Sequence, residues 1–293
     1  MVHLQADPPA DLSWSGGDFA DEGFWSHNAR NEVLFGEPVQ NEWDARIVSP
    51  LFARLQTLIF HLFGAGLIQV RLIGLLSSVL VTVCCFLILL REFESRIAFS
   101  IAALVSLNYP MLVLGRQGLL EPFAAALLCI SLALLFTQYA PVVFLSGVFL
   151  AASCFTKFLM VYTLLPIALI IFVWLKPSKR SVILFVIGAT LTTAVWLFAN
   201  YLPHRELLEG YNRYYASQQK WQPGAIAMNL MTQPFYLYFS KTPAVLFFAN
   251  LMLWRLFRSK TSGVIERLFW LWLLIGILFF AFWGYRPLRY YSS

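Results

Sequence analysis

From Leu72 onward the chain is a succession of apolar runs separated by short polar breaks, a pattern absent from the first fifty residues. The runs lie at about Leu72–Leu90, Ile97–Leu114, Phe123–Phe136, Val142–Phe155, Leu159–Leu175, Val182–Ala199, Ala244–Leu256 and Leu268–Trp283. A helix needs roughly 20 apolar residues to cross the hydrocarbon core of a bilayer, so about eight spanning helices are predicted, several short enough to stop below the surface. The stretch Leu51–Gln69 is apolar but broken by Arg54, Gln56 and His61, which predicts an amphipathic helix lying at the membrane interface. Residues Met1 to Pro50 are rich in Asp, Glu and Asn and hold no apolar segment that could serve as a signal peptide or first span. The fold class expected is all-α, a polytopic transmembrane helical bundle.

Composition agrees with a lipid environment. Of the 293 residues 59% are hydrophobic and only 12% charged, against about 25% charged in a soluble domain. Aromatic residues reach 17%, and Trp and Tyr favour the headgroup level of a bilayer. A net charge of +6 would suit nucleic acid, but the basic residues fall in short loops between apolar runs, so no nucleic-acid partner is expected. The four cysteines, Cys84, Cys85, Cys129 and Cys154, sit inside apolar runs without metal-ligand spacing and read as packing residues.

The loops set the topology. Residues 91–96, 176–180 and 255–267 carry the basic clusters and are separated by even numbers of runs, which places them on one side, the cytoplasmic one by the positive-inside rule. The extracytoplasmic side then receives residues 1–70 as an acidic loop with juxtamembrane helices, the loop Arg116–Glu121, the Thr156–Lys157 turn, the long loop 200–242 and the segment Arg286–Tyr291. Residues 71–293 form the transmembrane domain. Nothing in Met1–Pro50 would drive insertion, so a span upstream and more chain downstream are expected, and whether this stretch acts alone is left open.

The polar groups able to do chemistry collect on that extracytoplasmic face. Asp21 and Glu22 are adjacent carboxylates ahead of a helix-like stretch and a Gly36–Glu37–Pro38 turn. One of them can act as a general base, although a solvated acidic loop reads the same way. Arg116 and Glu121 are charges inserted between apolar runs, where they either pair to end two helices or line a cavity. Lys157 stands between two apolar runs with no acid beside it in the sequence, and calls for a phosphate group or for snorkelling to the interface. Arg286 and Arg289, with Tyr290 and Tyr291, can grip the same phosphate or simply flank a span. The four histidines show no ligand spacing, and a divalent ion held by Asp21 or Glu22 together with Glu121 and phosphate oxygens stays open in principle. No P-loop, dinucleotide fingerprint or nucleophile elbow is present, which argues against ATP-driven transport and serine hydrolysis.

The order of these features resembles the GT-C superfamily of membrane glycosyltransferases, in particular relatives of the protein O-mannosyltransferases and the lipid A aminoarabinose transferase. The likeness rests on Asp21–Glu22–Gly23 through Asn28–Ala29–Arg30, on Leu62–Phe63–Gly64 with Arg71, on Arg116 through Pro122, on Thr156–Lys157 and on Arg289–Tyr290. It implies an extracytoplasmic site in a bacterial or archaeal cytoplasmic membrane, with Asp21 as the favoured general base beside Glu22, Glu121 as a second acid, and Lys157 and Arg289 toward a lipid phosphate. It also implies transfer of a sugar from a polyprenyl-phosphate donor to a hydroxyl of a lipid, glycan or protein. The alternative reading is a transporter or flippase for a lipid-linked glycan, whose charges would line a pathway; the inverted symmetry common in transporters is not visible.

Overall fold

The structure, a computed structural model, describes residues 20–38, 44–107, 109–137, 139–169, 171, 175, 177–217, 263–265, 267 and 275. Among these every regular element is helical: α1 (Ala20–Phe35), α2 (Ala45–Val48), α3 (Pro50–Phe63), α4 (Leu67–Leu89), α5 (Ser95–Ser106), α6 (Tyr109–Leu114), α7 (Leu120–Leu135), α8 (Ala140–Thr156), α9 (Leu164–Leu169), α10 (Lys179–Trp196) and α11 (Arg205–Ser217). A 3₁₀ turn, Phe158–Thr163, leads into α9, and a π-helical turn, Leu197–Tyr201, prolongs α10. Helix α4 and the continuous segment Lys179–Tyr201 are each 23 residues long and apolar enough to cross a bilayer. Both turn apolar side chains outward: Val79, Leu80 and Val83 on α4, and Ile183, Val186 and Val195 on α10, are exposed. So broad an apolar face is at home in lipid rather than water.

Helix α8 lies between α7 and α10, with α7 packed in turn on α4. Lipid is as apolar as leucine, so helices in it associate through close packing and hydrogen bonds rather than through hydrophobic burial. Both devices are present. Where α8 crosses α10, Gly147 rests against the Phe185 carbonyl and Gly188 against the Phe144 carbonyl, and a Cβ on either would overlap the opposing backbone. Between α7 and α8, Ser131 and Ser146 exchange hydrogen bonds to each other's carbonyl oxygens at 2.8 and 2.7 Å. About two helical turns further along α8, Ser153 donates to the Ala124 carbonyl at 2.8 Å. Around these contacts Ala124, Leu128, Leu135, Val143, Leu150 and Met160 form the main core.

Three expectations are corrected. The interfacial helix ends at Phe63, where Gly64 adopts φ 82°, and the following span begins at Leu67 rather than Leu72, so that Arg71 lies inside α4. The run Ile97–Leu114 divides into α5 and α6, with Pro110 in the first turn of the second piece, a position proline tolerates while opposing a continuous helix through it. The run Leu159–Leu175 opens as a 3₁₀ turn and short α9 containing Pro166, because Lys157 has extended backbone (φ −143°, ψ 109°) and stops α8 at Thr156.

Glu92 Oε1 accepts the Ile265 N–H at 3.0 Å, which joins the end of α4 to the start of a later helical turn. The runs 244–256 and 268–283, most of the loop 200–242, and Arg286, Arg289, Tyr290 and Tyr291 lie outside the described residues.

Candidate functional site

Asp21 and Glu22 occupy the first turn of α1, where the unpaired backbone N–H groups of a helix favour negative charge. The helix is held down by Ala29 against Phe60 and Val70 and by Trp25 against Phe52, Ile59 and Ile73. Packed this way, its first turn hangs over the start of α4. Glu22 is only 7% exposed and Arg71 1%. The Arg71 guanidinium takes both carboxylate oxygens, Nη2 to Oε2 at 2.7 Å and Nε to Oε1 at 2.9 Å. The Gly118 N–H donates to Oε1 at 2.7 Å. Buried charges are tolerated when paired and hydrogen-bonded in this way.

The Gly115–Arg116–Gln117–Gly118 segment delivers that N–H because it lies directly on α4. A Cβ at Gly118 would overlap Val70, and one at Gly74 would overlap the Gln117 carbonyl. Arg116 is half-buried in this segment, and Gln117 is fully buried. Three residues beyond Gly118, Glu121 sits in the first turn of α7 and pairs with Lys157 Nζ at 2.5 Å, both side chains largely buried. Lys157 is therefore no lone cation: the chain fold supplies an acid 36 residues earlier. Asp21 is half-buried beside Glu22.

A cavity of about 1490 Å³ opens between the start of α3, the end of α8, α10 and the start of α11. Arg46, Arg54, His204 and Arg205 line it together with an apolar wall that includes Val148, Phe149 and Ala152. Helix α2 forms one border, and its backbone is tied down from three sides. Asn28 Oδ1 accepts the Ala45 N–H at 3.1 Å, Tyr211 Oη accepts the Asp44 N–H at 3.1 Å, and Asn200 Nδ2 donates to the Ile47 carbonyl at 2.8 Å. Asp44 in turn orients Arg46, accepting from Nη2 at 2.8 Å and Nε at 3.1 Å. Burial pushes the Tyr211 hydroxyl above the ordinary tyrosine range, with the nearby Asp44 charge adding to it. In the first turns of α11 the Arg205 guanidinium beside Glu209 holds that carboxyl below its usual range.

The structure thus brings Glu22, Arg116, Glu121 and Lys157 to the same end of α7, with Asp21 alongside. Arg71 entered the sequence reading only as part of the family resemblance, without a role, and Asp44 and Arg46 were not singled out. An arginine in an apolar run was the available signal for Arg71, since a charge at membrane depth needs a partner. Among the described residues no group of three or more His, Cys, Asp or Glu side chains could hold a metal ion. Cys84, Cys85, Cys129 and Cys154 are all free thiols.

No protein-family model matches the chain, and no curated protein matches its sequence. Its fold does match solved structures. The crystal structure of ArnT from Cupriavidus metallidurans in the apo state superposes with a TM-score of 0.63 at 17% identity, over 92% of this chain and 52% of that one. The same protein bound to undecaprenyl phosphate gives a TM-score of 0.66 at 16% identity, over 93% of this chain and 52% of that one. The chain spans about half the length of these structures. The helical architecture and the superposition together give this chain the fold of ArnT, a polytopic helical membrane fold.

Proposed function

We propose that the chain is the catalytic part of a membrane glycosyltransferase, moving a sugar from a polyprenyl-phosphate donor to a hydroxyl acceptor on the extracytoplasmic face. The observation that carries this reading is the commitment of Glu22 to Arg71 and the Gly118 N–H. Glu22 is thus held in a buried ion pair, and the proton acceptor proposed is the adjacent, half-buried Asp21. In the step proposed, the acceptor oxygen attacks the anomeric carbon as its proton passes to Asp21. The bond from that carbon to the phosphate oxygen breaks, and its electron pair leaves on the phosphate. Cations stabilise the departing charge; Arg46, largely buried, and the more exposed Arg54 line the cavity and are assigned that role, with Lys157 near the start of α7 as a further candidate. Arg286, Arg289 and Tyr290 belong to the same proposal through the family resemblance alone.

The cavity suits such a donor, with basic groups toward α2, α3 and α11 and an apolar wall along α8 that can take a prenyl chain. ArnT, whose fold is shared, has been crystallised with undecaprenyl phosphate. The test is transfer from radiolabelled polyprenyl-phosphate sugars in membranes holding the intact protein or its Asp21→Asn variant. Label reaching an acceptor only with Asp21 supports the reading; equal transfer by both proteins removes Asp21 as the base, and redistribution of the lipid between leaflets without transfer favours a flippase.

A further inference from the structure

Two polar groups in the wall of the cavity have no use in the reaction described above. Thr156 is 2% exposed, and its hydroxyl meets no hydrogen-bond partner within the protein; the buried indole N–H of Trp196 meets none either. Both residues line the cavity, from the ends of α8 and α10 respectively. A buried donor left unmet opposes folding by more than a hydrogen bond contributes, so such groups persist where something else satisfies them. A prenyl chain cannot do so, because it carries no oxygen.

The Trp196 ring is also immobilised. Phe155 stacks on it with centroids 4.4 Å apart and planes at 10°, and Tyr201 packs on it at 5.5 Å. The ring is thus held by two aromatic neighbours, and its N–H is a buried donor without a protein partner. The cations of the cavity, Arg46, Arg54 and Arg205, come from α2, α3 and the start of α11 instead. Charged donors there match a phosphate, whereas a hydroxyl and an indole N–H match uncharged oxygens.

We infer that Thr156 and Trp196 form the subsite for the glycosyl unit of the lipid-linked donor, hydrogen-bonding its hydroxyl or ring oxygens and so distinguishing a sugar-loaded lipid phosphate from a bare one. This rests on the donor reading of the cavity. Thr156 and Trp196 are here specificity-determining residues and take no part in proton transfer.

The experiment compares binding of a polyprenyl phosphate, and of the same lipid carrying a hexose or pentose, to the intact protein in nanodiscs. Trp196→Phe keeps the stacked ring and removes the N–H; Thr156→Val keeps the shape and removes the hydroxyl. Each variant is expected to lose roughly five- to tenfold in affinity for the sugar-loaded lipid, with affinity for the bare lipid phosphate and thermal stability unchanged. Equal weakening toward both lipids, or no change toward either, overturns the inference and leaves the donor reading standing. Wild-type protein that binds neither lipid removes the donor reading and this inference with it.

Discussion

Arg71 and Glu22 meet in a two-point contact across 49 positions of sequence, and the Gly118 N–H completes the shell around the carboxylate. The pair is buried on both sides, so each charge depends on the other. Replacing Arg71 by Leu leaves Glu22 charged and unpaired, and is expected to destabilise the protein by about 3–5 kcal/mol. The double variant Arg71→Leu with Glu22→Leu should recover part of that loss, because no isolated charge remains. Thermal unfolding of the four proteins in detergent, treated as a double-mutant cycle, checks it. Additive losses would show that the contact contributes nothing specific.

Asp21 and Glu22 are expected to separate by phenotype. Asp21→Asn should reduce transfer by at least the hundredfold associated with a general base while leaving the melting temperature near wild type. Glu22→Gln should lower the melting temperature as well as activity, because its amide presents an N–H to Arg71 or to Gly118 where each needs an acceptor. A stability scan beside an activity assay distinguishes them, and a stable, inactive Glu22→Gln would reverse the assignment.

Lys157 has two tasks to lose. Lys157→Met removes the partner of the buried Glu121, and should cost stability as well as weaken donor binding. Glu121→Gln should cost less, since lysine is longer and reaches the interface more readily than a glutamate in the first turn of α7. Melting curves with and without added polyprenyl phosphate test the order.

The crossing of α8 and α10 has no room for side chains at Gly147 and Gly188. Alanine at either is expected to force the helices apart and cost about 1–3 kcal/mol. Because both residues belong to one contact, the double variant should fall short of the sum. Detergent melting temperatures of the two singles and the double provide the check.

Tyr211→Phe removes the acceptor of the Asp44 N–H without changing ring volume. The expected loss is about 1 kcal/mol, felt at α2 and therefore at Arg46. Hydrogen exchange at the Asp44 and Ala45 amides should accelerate while α7 and α8 stay protected.

The apolar runs announced the bundle because lipid imposes one requirement, length, on every crossing segment. They were less informative wherever a helix is broken from within. The split at Pro110 and the 3₁₀ turn after Lys157 follow from backbone chemistry that a count of apolar residues does not register. Asp21, Glu22, Glu121 and Lys157 were legible as polar groups in poor surroundings. Their partners were not, since the choice of Arg71 for Glu22 and of Lys157 for Glu121 depends on which helices pack together. Trp196 looked like an ordinary member of an apolar helix, and Thr156 only like the neighbour of Lys157, until burial and the lack of a partner set them apart.

The placement of Arg71 in α4 also bears on how the chain enters the membrane. On insertion scales a lone arginine at mid-bilayer opposes entry by roughly 2.5–3.5 kcal/mol, less toward a helix end such as this. Its counter-charge, Glu22, is synthesised first, 49 residues ahead of it. Glu121 has the opposite history, emerging 36 residues before Lys157. Synthesis order thus makes α4 the segment that arrives to a prepared partner and α7 the one whose anchoring must follow later, when α8 has turned back.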